Sequence, residues 1–171
     1  MYEGWEAADV PTAMFTILEH VAPLSNSEAV TLAISFARYV LHLAKDNSAH
    51  DAISAAERWL VAPTEQNTKQ ALAAATNAQN ACKKLKAENI INSCAICSAR
   101  DSAVTAWACG SGRDDYVDYA ASTMSISIGT AMMDPENTKT REQINFGICE
   151  LIRKVISNPF AKPRPYASEL P

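Results

Sequence analysis

Residues 25–44 read SNSEAVTLAISFARYVLHLA, and this stretch decides the fold. Ser25, with Glu28 three positions later, has the pattern of a capping box and predicts that a helix begins here. Apolar residues then recur at the spacing of one helix face, at Val30, Ile34, Ala37, Leu41 and Ala44. Other apolar side chains extend this face around much of the helix, so we expect a central helix that is buried on most sides.

Helix signals on both sides of this stretch predict six further helices. The first begins at Asp9-Val10-Pro11 and ends before Pro23; the third follows Asp46 and ends before Pro63; the fourth follows Thr64 and runs to about Leu85; the fifth spans about Glu88 to Cys109; the sixth spans about Asp114 to Met133; and the seventh begins at Asp134-Pro135-Glu136 and ends before Asn158-Pro159. Within the sixth, residues 124–129 alternate with period two, which alone would favour a strand, but the flanking pattern favours a helix.

Composition supports an all-α fold. The 171 residues include 30 alanines and only 5 glycines, and alanine loses the least entropy in a helix. The chain has the length of one domain. We therefore predict a single-domain bundle of about seven helices over residues 1–157. The four prolines among residues 158–171 cannot continue a helix, and they predict a semi-extended C-terminal tail.

Charge narrows the class of partner. The net charge is −4, and residues 1–60 hold eight acids and three bases, or −5. A basic stripe for nucleic acid is missing, whereas an acidic first third would steer a basic protein. No run approaches about 18 apolar residues, and the acidic start lacks an apolar signal core. We expect a cytoplasmic protein that binds neither nucleic acid nor membrane.

Cysteines and histidines give no strong catalytic motif. The five cysteines are an odd number and do not indicate a disulfide framework. Cys94-x-x-Cys97 could supply two zinc ligands, with Cys82 or Cys109 as further candidates, but its mid-helix position favours cysteines that fill a core. A redox pair is the other alternative. His20, His42 and His50 fall in no ligand or catalytic pattern. We predict neither a catalytic residue nor a cofactor nor a metal.

Acidic residues are the candidate contacts with a partner. Asp114, Asp115 and Asp118 cluster at the start of the sixth helix, where the helix dipole alone would also favour them. Asp114 and Asp118 are four residues apart and could share a face, which leaves a divalent-ion site as a third interpretation. Glu57 and Asp51 on the third helix complete the set that we predict to bind a protein. Trp59, beside Glu57, is predicted to anchor the core.

One segment resembles a known family. Residues 52–60, AISAAERWL, are followed by Pro63-Thr64-Glu65-Gln66-Asn67 and then by the alanine-rich run at 71–75. Over about residues 30–110 this resembles the small all-α immunity proteins of bacterial polymorphic-toxin and secretion-system loci. An uncharacterised family linked to secretion systems shares the same turn.

The resemblance implies a function without chemistry. Such a protein stays in the cytosol of the toxin-producing cell and neutralises a cognate toxin domain by occluding it. An acidic inhibitor suits a toxin with a basic active-site cleft, such as a nuclease. Two alternatives remain: a helical adaptor or scaffold of a secretion apparatus, and a small metal-dependent α-helical enzyme that uses Cys94 and Cys97.

Overall fold

Seven α-helices make up most of the described part of the chain, which is residues 5, 8–20, 23–85 and 89–156 of the computed structural model. They are α1 (Pro11–His20), α2 (Asn26–Val40), α3 (Asn47–Val61), α4 (Glu65–Lys84), α5 (Ile90–Gly110), α6 (Tyr116–Met133) and α7 (Arg141–Val155). A 3₁₀ turn, Leu41–Leu43, follows α2, and the described residues contain no strand. The all-α prediction is confirmed. The predicted tail at 158–171 lies outside the described residues.

The capping box that opens α2 is present as predicted. The Ser25 backbone N–H donates to Glu28 Oε2 at 2.8 Å, and the Glu28 N–H donates to Ser25 Oγ at 3.3 Å. Two N–H groups that a helix start leaves without partners are thereby satisfied. The α-helix ends at Val40, so the predicted apolar line through Leu41 to Ala44 continues in the 3₁₀ turn and beyond it.

Replacing Ser25 by alanine is expected to lower the free energy of unfolding by about 1 kcal/mol, because α2 loses its cap. Urea denaturation followed by circular dichroism measures this change. Ser27→Ala is the matched control, since Ser27 is exposed two residues further on and does not cap the helix. An equal effect of the two substitutions would contradict the role assigned to Ser25.

Helix α2 lies between two apolar clusters, as the apolar residues around most of its circumference predicted. One of its faces packs against α3 and α5 through Val30, Ile34 and Ala37, which share a cluster with buried alanines of α4. The opposite face carries Leu32 and Phe36 into a second cluster with α1, α6 and α7. Burial on both sides explains why the sequence of α2 is apolar around most of its circumference.

Helix α5 is the second central element, and its inner residues are small. It packs against α2, α3, α4 and α6. Alanines recur along its buried side, at Ala95, Ala99, Ala103 and Ala106, and each is fully buried. Side chains of this size allow neighbouring helices to approach closely. The alanine content of the chain is therefore used in helix contacts as well as for helix propensity.

Trp59 anchors the junction of α3, α4 and α5, which confirms its predicted place in the core. Its side chain is buried, and its Nε1–H donates to Thr68 Oγ1 at 3.0 Å. The Thr68 hydroxyl in turn donates to the Thr64 carbonyl at 3.0 Å. At Gly110, the last residue of α5, the backbone lies directly against this pair. The packing therefore requires a residue without a side chain at position 110.

The period-two segment at 124–129 is helical, as predicted from its flanks. Ser127 is fully buried, whereas Ile126 and Ile128 on either side of it are only half-buried. Ser127 Oγ donates to the Phe36 carbonyl at 2.8 Å and lies 2.7 Å from Ser98 Oγ. The alternation was misleading because α6 buries Ser127, whose hydroxyl is hydrogen-bonded, and hydropathy counts serine as a residue that faces solvent.

The predicted start of the seventh helix at Asp134-Pro135 is wrong. Asp134 Oδ1 accepts the Glu136 N–H at 3.0 Å, and Asn137 Oδ1 accepts the Lys139 N–H at 3.0 Å. These side-chain bonds hold residues 134–139 in successive turns. Helix α7 instead begins after Thr140, which forms a capping box with Gln143. The Asp-Pro signal and the Thr-x-x-Gln signal competed, and the capping box determined the start.

Candidate functional site

The acids predicted on α3 lie on different sides of that helix. Asp51 and Glu57 are six residues apart, which places them about 120° apart around the helix axis. Asp51 is exposed, and Glu57 forms an ion pair with Arg38 of α2. Asp51 and Glu57 therefore do not belong to one contact face. Beside Glu57, Val61 is 87% exposed and lines a shallow groove with Arg58.

The three acids before and within α6 stay together at the start of that helix. Asp114 and Asp115 lie in the turn before α6, and Asp118 lies in its first turn. Because α6 begins at Tyr116, Asp114 is outside the helix, and helical i, i+4 spacing does not set its position relative to Asp118. Both side chains are exposed. We call Asp114, Asp115 and Asp118 the α6 acidic turn.

Several contacts fix the α6 acidic turn against the bundle. Arg113 binds Asp115 through two hydrogen bonds, Nε to Oδ1 at 2.8 Å and Nη2 to Oδ2 at 2.5 Å. The bond from Arg113 holds the pKa of Asp115 below its usual value. The Arg113 guanidinium also lies 5.2 Å from the ring centroid of Trp107 on α5. Tyr116 donates its hydroxyl to the Leu24 carbonyl at 2.8 Å. The exposed carboxylates are thus presented by an ordered turn.

A polar groove lies where the 3₁₀ turn, the start of α5 and the 134–139 loop meet, and the sequence did not reveal it. It comprises two adjoining depressions of about 390 and 400 Å³ that share His42, Leu43, Asp134 and Glu136. His42 Nε2 lies 3.9 Å from Asp134 Oδ2. No motif could have paired these two residues, because they are far apart in the chain.

Both signs of charge border this groove. Lys45 lines one depression, and Lys139 lines the other, with its Nζ 5.5 Å from the ring centroid of Tyr39. An exposed apolar side chain also occurs here, since Ile90, which is 55% exposed, lines the same depression as Lys45. Such mixed lining gives polar and apolar contacts, whereas the α6 acidic turn offers the two exposed carboxylates of Asp114 and Asp118 beside the Arg113–Asp115 ion pair.

A buried ion pair connects α4, α5 and α6. The Asp101 side chain is 3% exposed, and its Oδ1 accepts Arg100 Nε at 2.7 Å. Asp101 Oδ2 accepts the Ser122 hydroxyl at 2.8 Å, and Arg100 also binds Gln79 Oε1. The nearby Asp101 carboxylate raises the pKa of Arg100 against the opposing effect of burial. Each polar group of this network has a partner within the protein, as a structural role requires.

The five cysteines divide between the core, where they were predicted, and partly exposed positions. Cys109 and Cys149 are buried, while Cys82, Cys94 and Cys97 are only half-buried. Burial raises the pKa of Cys109 to about 12 and that of Cys149 to about 11. Cys97 lies against Cys82 of α4, with the two Sγ atoms 3.2 Å apart. Across the described residues, no three His, Cys, Asp or Glu side chains form a group that could hold a metal ion.

Among the described residues, no helix is both long and apolar enough to span a bilayer.

Comparison with known proteins gives one match. None of the curated proteins and none of the solved structures matches the chain. Residues 1–85, which end one residue after α4, match the model of DUF6931, a family of unknown function.

Proposed function

We propose that this protein is an immunity-type inhibitor, which binds a basic toxin domain in the cytoplasm and blocks that domain without performing chemistry itself. The observation that carries the proposal is the α6 acidic turn. Asp114 and Asp118 are exposed on a turn that Arg113 and Tyr116 hold in place. A fixed negative surface loses little entropy on binding, and its field accelerates encounter with a basic cleft.

Charge elsewhere on the chain adds to the negative field of the whole protein. Residues 1–60 carry a net charge of −5, and Asp51 on α3 is exposed among them. Glu57 is less suited to a direct contact, because Arg38 already neutralises it. The exposed Val61 beside Glu57 can supply an apolar contact instead. An apolar contact within a polar rim is typical of protein interfaces.

Co-expression with a toxin domain that a neighbouring gene encodes tests the proposal. We expect survival of the host cell and a stable complex on size-exclusion chromatography. Failure of both would reject the proposal. A complex that forms without protecting the cell would favour the alternative, a helical adaptor of a secretion apparatus.

Neutralising the α6 acidic turn is expected to slow association. The double substitution Asp114→Asn with Asp118→Asn should lower the association rate constant roughly five- to tenfold at low salt. The difference should shrink at high salt, because counterions screen exposed charges. Surface plasmon resonance against the immobilised toxin domain at several salt concentrations measures both effects.

The matched control removes the same charge from another part of the protein. Glu136 lies in the 134–139 loop and Glu142 in the first turn of α7, and both are exposed. Glu136→Gln with Glu142→Gln therefore keeps the net charge equal to that of the first variant. If the two double variants associate equally slowly, overall charge rather than the α6 acidic turn governs the encounter.

A further inference from the structure

Two thiols from different helices lie in contact at the end of α4. Cys82 is in the last turn of α4, and Cys97 is in the second turn of α5. Their Sγ atoms are 3.2 Å apart. A disulfide bond has an S–S length of about 2.05 Å, so the two sulfurs need to approach by only about 1 Å. Because Cys82 lies at the end of its helix, a small shift of the last turn can supply this movement.

The two sulfurs are accessible, and their surroundings set how readily they react. Both cysteines are half-buried, so a small reagent can reach them. Cys82 Sγ donates to the Ser93 carbonyl at 3.4 Å, and the positive charge of Arg100 acts on both sulfurs. Burial and the neighbouring Cys97 raise the pKa of Cys82 to about 12. Burial thus outweighs the positive charge of Arg100 and keeps Cys82 in its thiol form at neutral pH, so exchange relies on the contact between the two sulfurs and is expected to speed up as the pH rises.

We propose that Cys82 and Cys97 form a reversible thiol–disulfide site that couples α4 to α5, a property separate from the binding function. The oxidant is a low-molecular-weight disulfide such as oxidised glutathione. One cysteine thiolate attacks this disulfide, breaks its S–S bond and releases the first thiol. The second cysteine then loses its proton, attacks the resulting mixed disulfide and releases a second thiol. Two electrons pass from the protein to the oxidant, and one protein disulfide replaces two thiols.

Formation of this bond is expected to stabilise the helical body. The two cysteines are 15 residues apart, so the bond restricts a loop of that length in the unfolded chain. The bond also joins the segment that matches DUF6931 to the helix that follows it. We expect Tm to rise by roughly 5–10 °C on oxidation and to return to its initial value on reduction.

Oxidation of the full chain with oxidised glutathione tests the proposal. We expect two of the five thiols to disappear, the mass to fall by two hydrogen atoms, and peptide mapping to find Cys82 linked to Cys97. Excess reduced thiol should reverse all three changes. An unreactive protein, a stable mixed disulfide with glutathione, or a Cys94–Cys97 bond within α5 would each overturn the proposal.

Matched serine variants separate this pair from the other cysteines. Cys82→Ser and Cys97→Ser should each abolish both the mass change and the Tm shift. Cys94→Ser should retain both, because Cys94 lies three residues from Cys97 on the same helix without being part of the pair. Retention of the Tm shift in Cys82→Ser would also contradict the assignment. The peptide map of the oxidised chain without substitutions needs no variant. The test therefore stands even if one substitution prevents folding.

Discussion

Gly110→Ala is expected to destabilise the protein by about 2–3 kcal/mol. A methyl group at this position would lie 2.5 Å from Trp59 Nε1 and closer still to Thr68 Oγ1. Neither side chain can move aside without cost, because both are buried and they are hydrogen-bonded to each other. The clash therefore outweighs the gain of up to about 1 kcal/mol that alanine normally gives over glycine in a helix.

Urea denaturation followed by tryptophan fluorescence measures this loss, and Trp59 reports on the site directly. Gly129→Ala supplies the matched control. Gly129 lies within α6, and a methyl group built there meets no atom within 4 Å. We expect this control to gain about 0.5–1 kcal/mol, so the two substitutions should change stability in opposite directions. A gain in both variants would show that the contact of Gly110 with Trp59 and Thr68 is not tight.

Asp101→Ala is expected to cost about 3 kcal/mol, the largest effect that we predict for a polar residue. The substitution removes the carboxylate that Arg100 and Ser122 both bind, and it leaves a cavity between α5 and α6. Breaking a buried pair from one side is costly because the remaining charge keeps its desolvation penalty. Arg100 is 26% exposed and can recover some hydration, which places the cost at the lower end of the range for buried pairs.

Thermal and urea denaturation measure this effect, and two variants bracket it. Asp101→Asn keeps the volume and an oxygen that can accept from Ser122, so we expect a smaller loss of about 1–2 kcal/mol. Asp51→Ala removes an exposed acid from α3 and should change stability by less than about 0.5 kcal/mol. Equal losses in Asp101→Ala and Asp51→Ala would show that the buried network contributes nothing beyond its charge.

Capping and termination signals predicted the helices well, because these signals act within a few residues. Ser25 with Glu28, Asp46 and Thr64 cap the helices that were predicted to follow them. The wrong start at Asp134-Pro135 also has a local cause. Asp134 and Asn137 bond to the backbone two residues further on, and these turns compete directly with a helix.

The partner contacts were predicted from charge alone. A charged residue in the sequence does not indicate which other charged residues lie close to it in the folded protein. Asp114, Asp115 and Asp118 stay together because they are neighbours in the chain. Glu57 and Asp51 separate because helix geometry turns them to different sides. The groove at His42 and Asp134 could not be predicted, since two residues far apart in the chain meet only after the bundle assembles.

The sequence by itself determined the all-α class, the helix caps and the central place of α2, because local hydrogen bonding and a side-chain period of 3.6 residues set these properties. Only the tertiary structure decided which polar and sulfur side chains meet. Asp101 with Ser122, His42 with Asp134 and Cys82 with Cys97 each pair residues from different segments. Such pairs depend on the rotation and crossing angle of each helix. The packing of many side chains together determines both of these, so no local pattern reveals them.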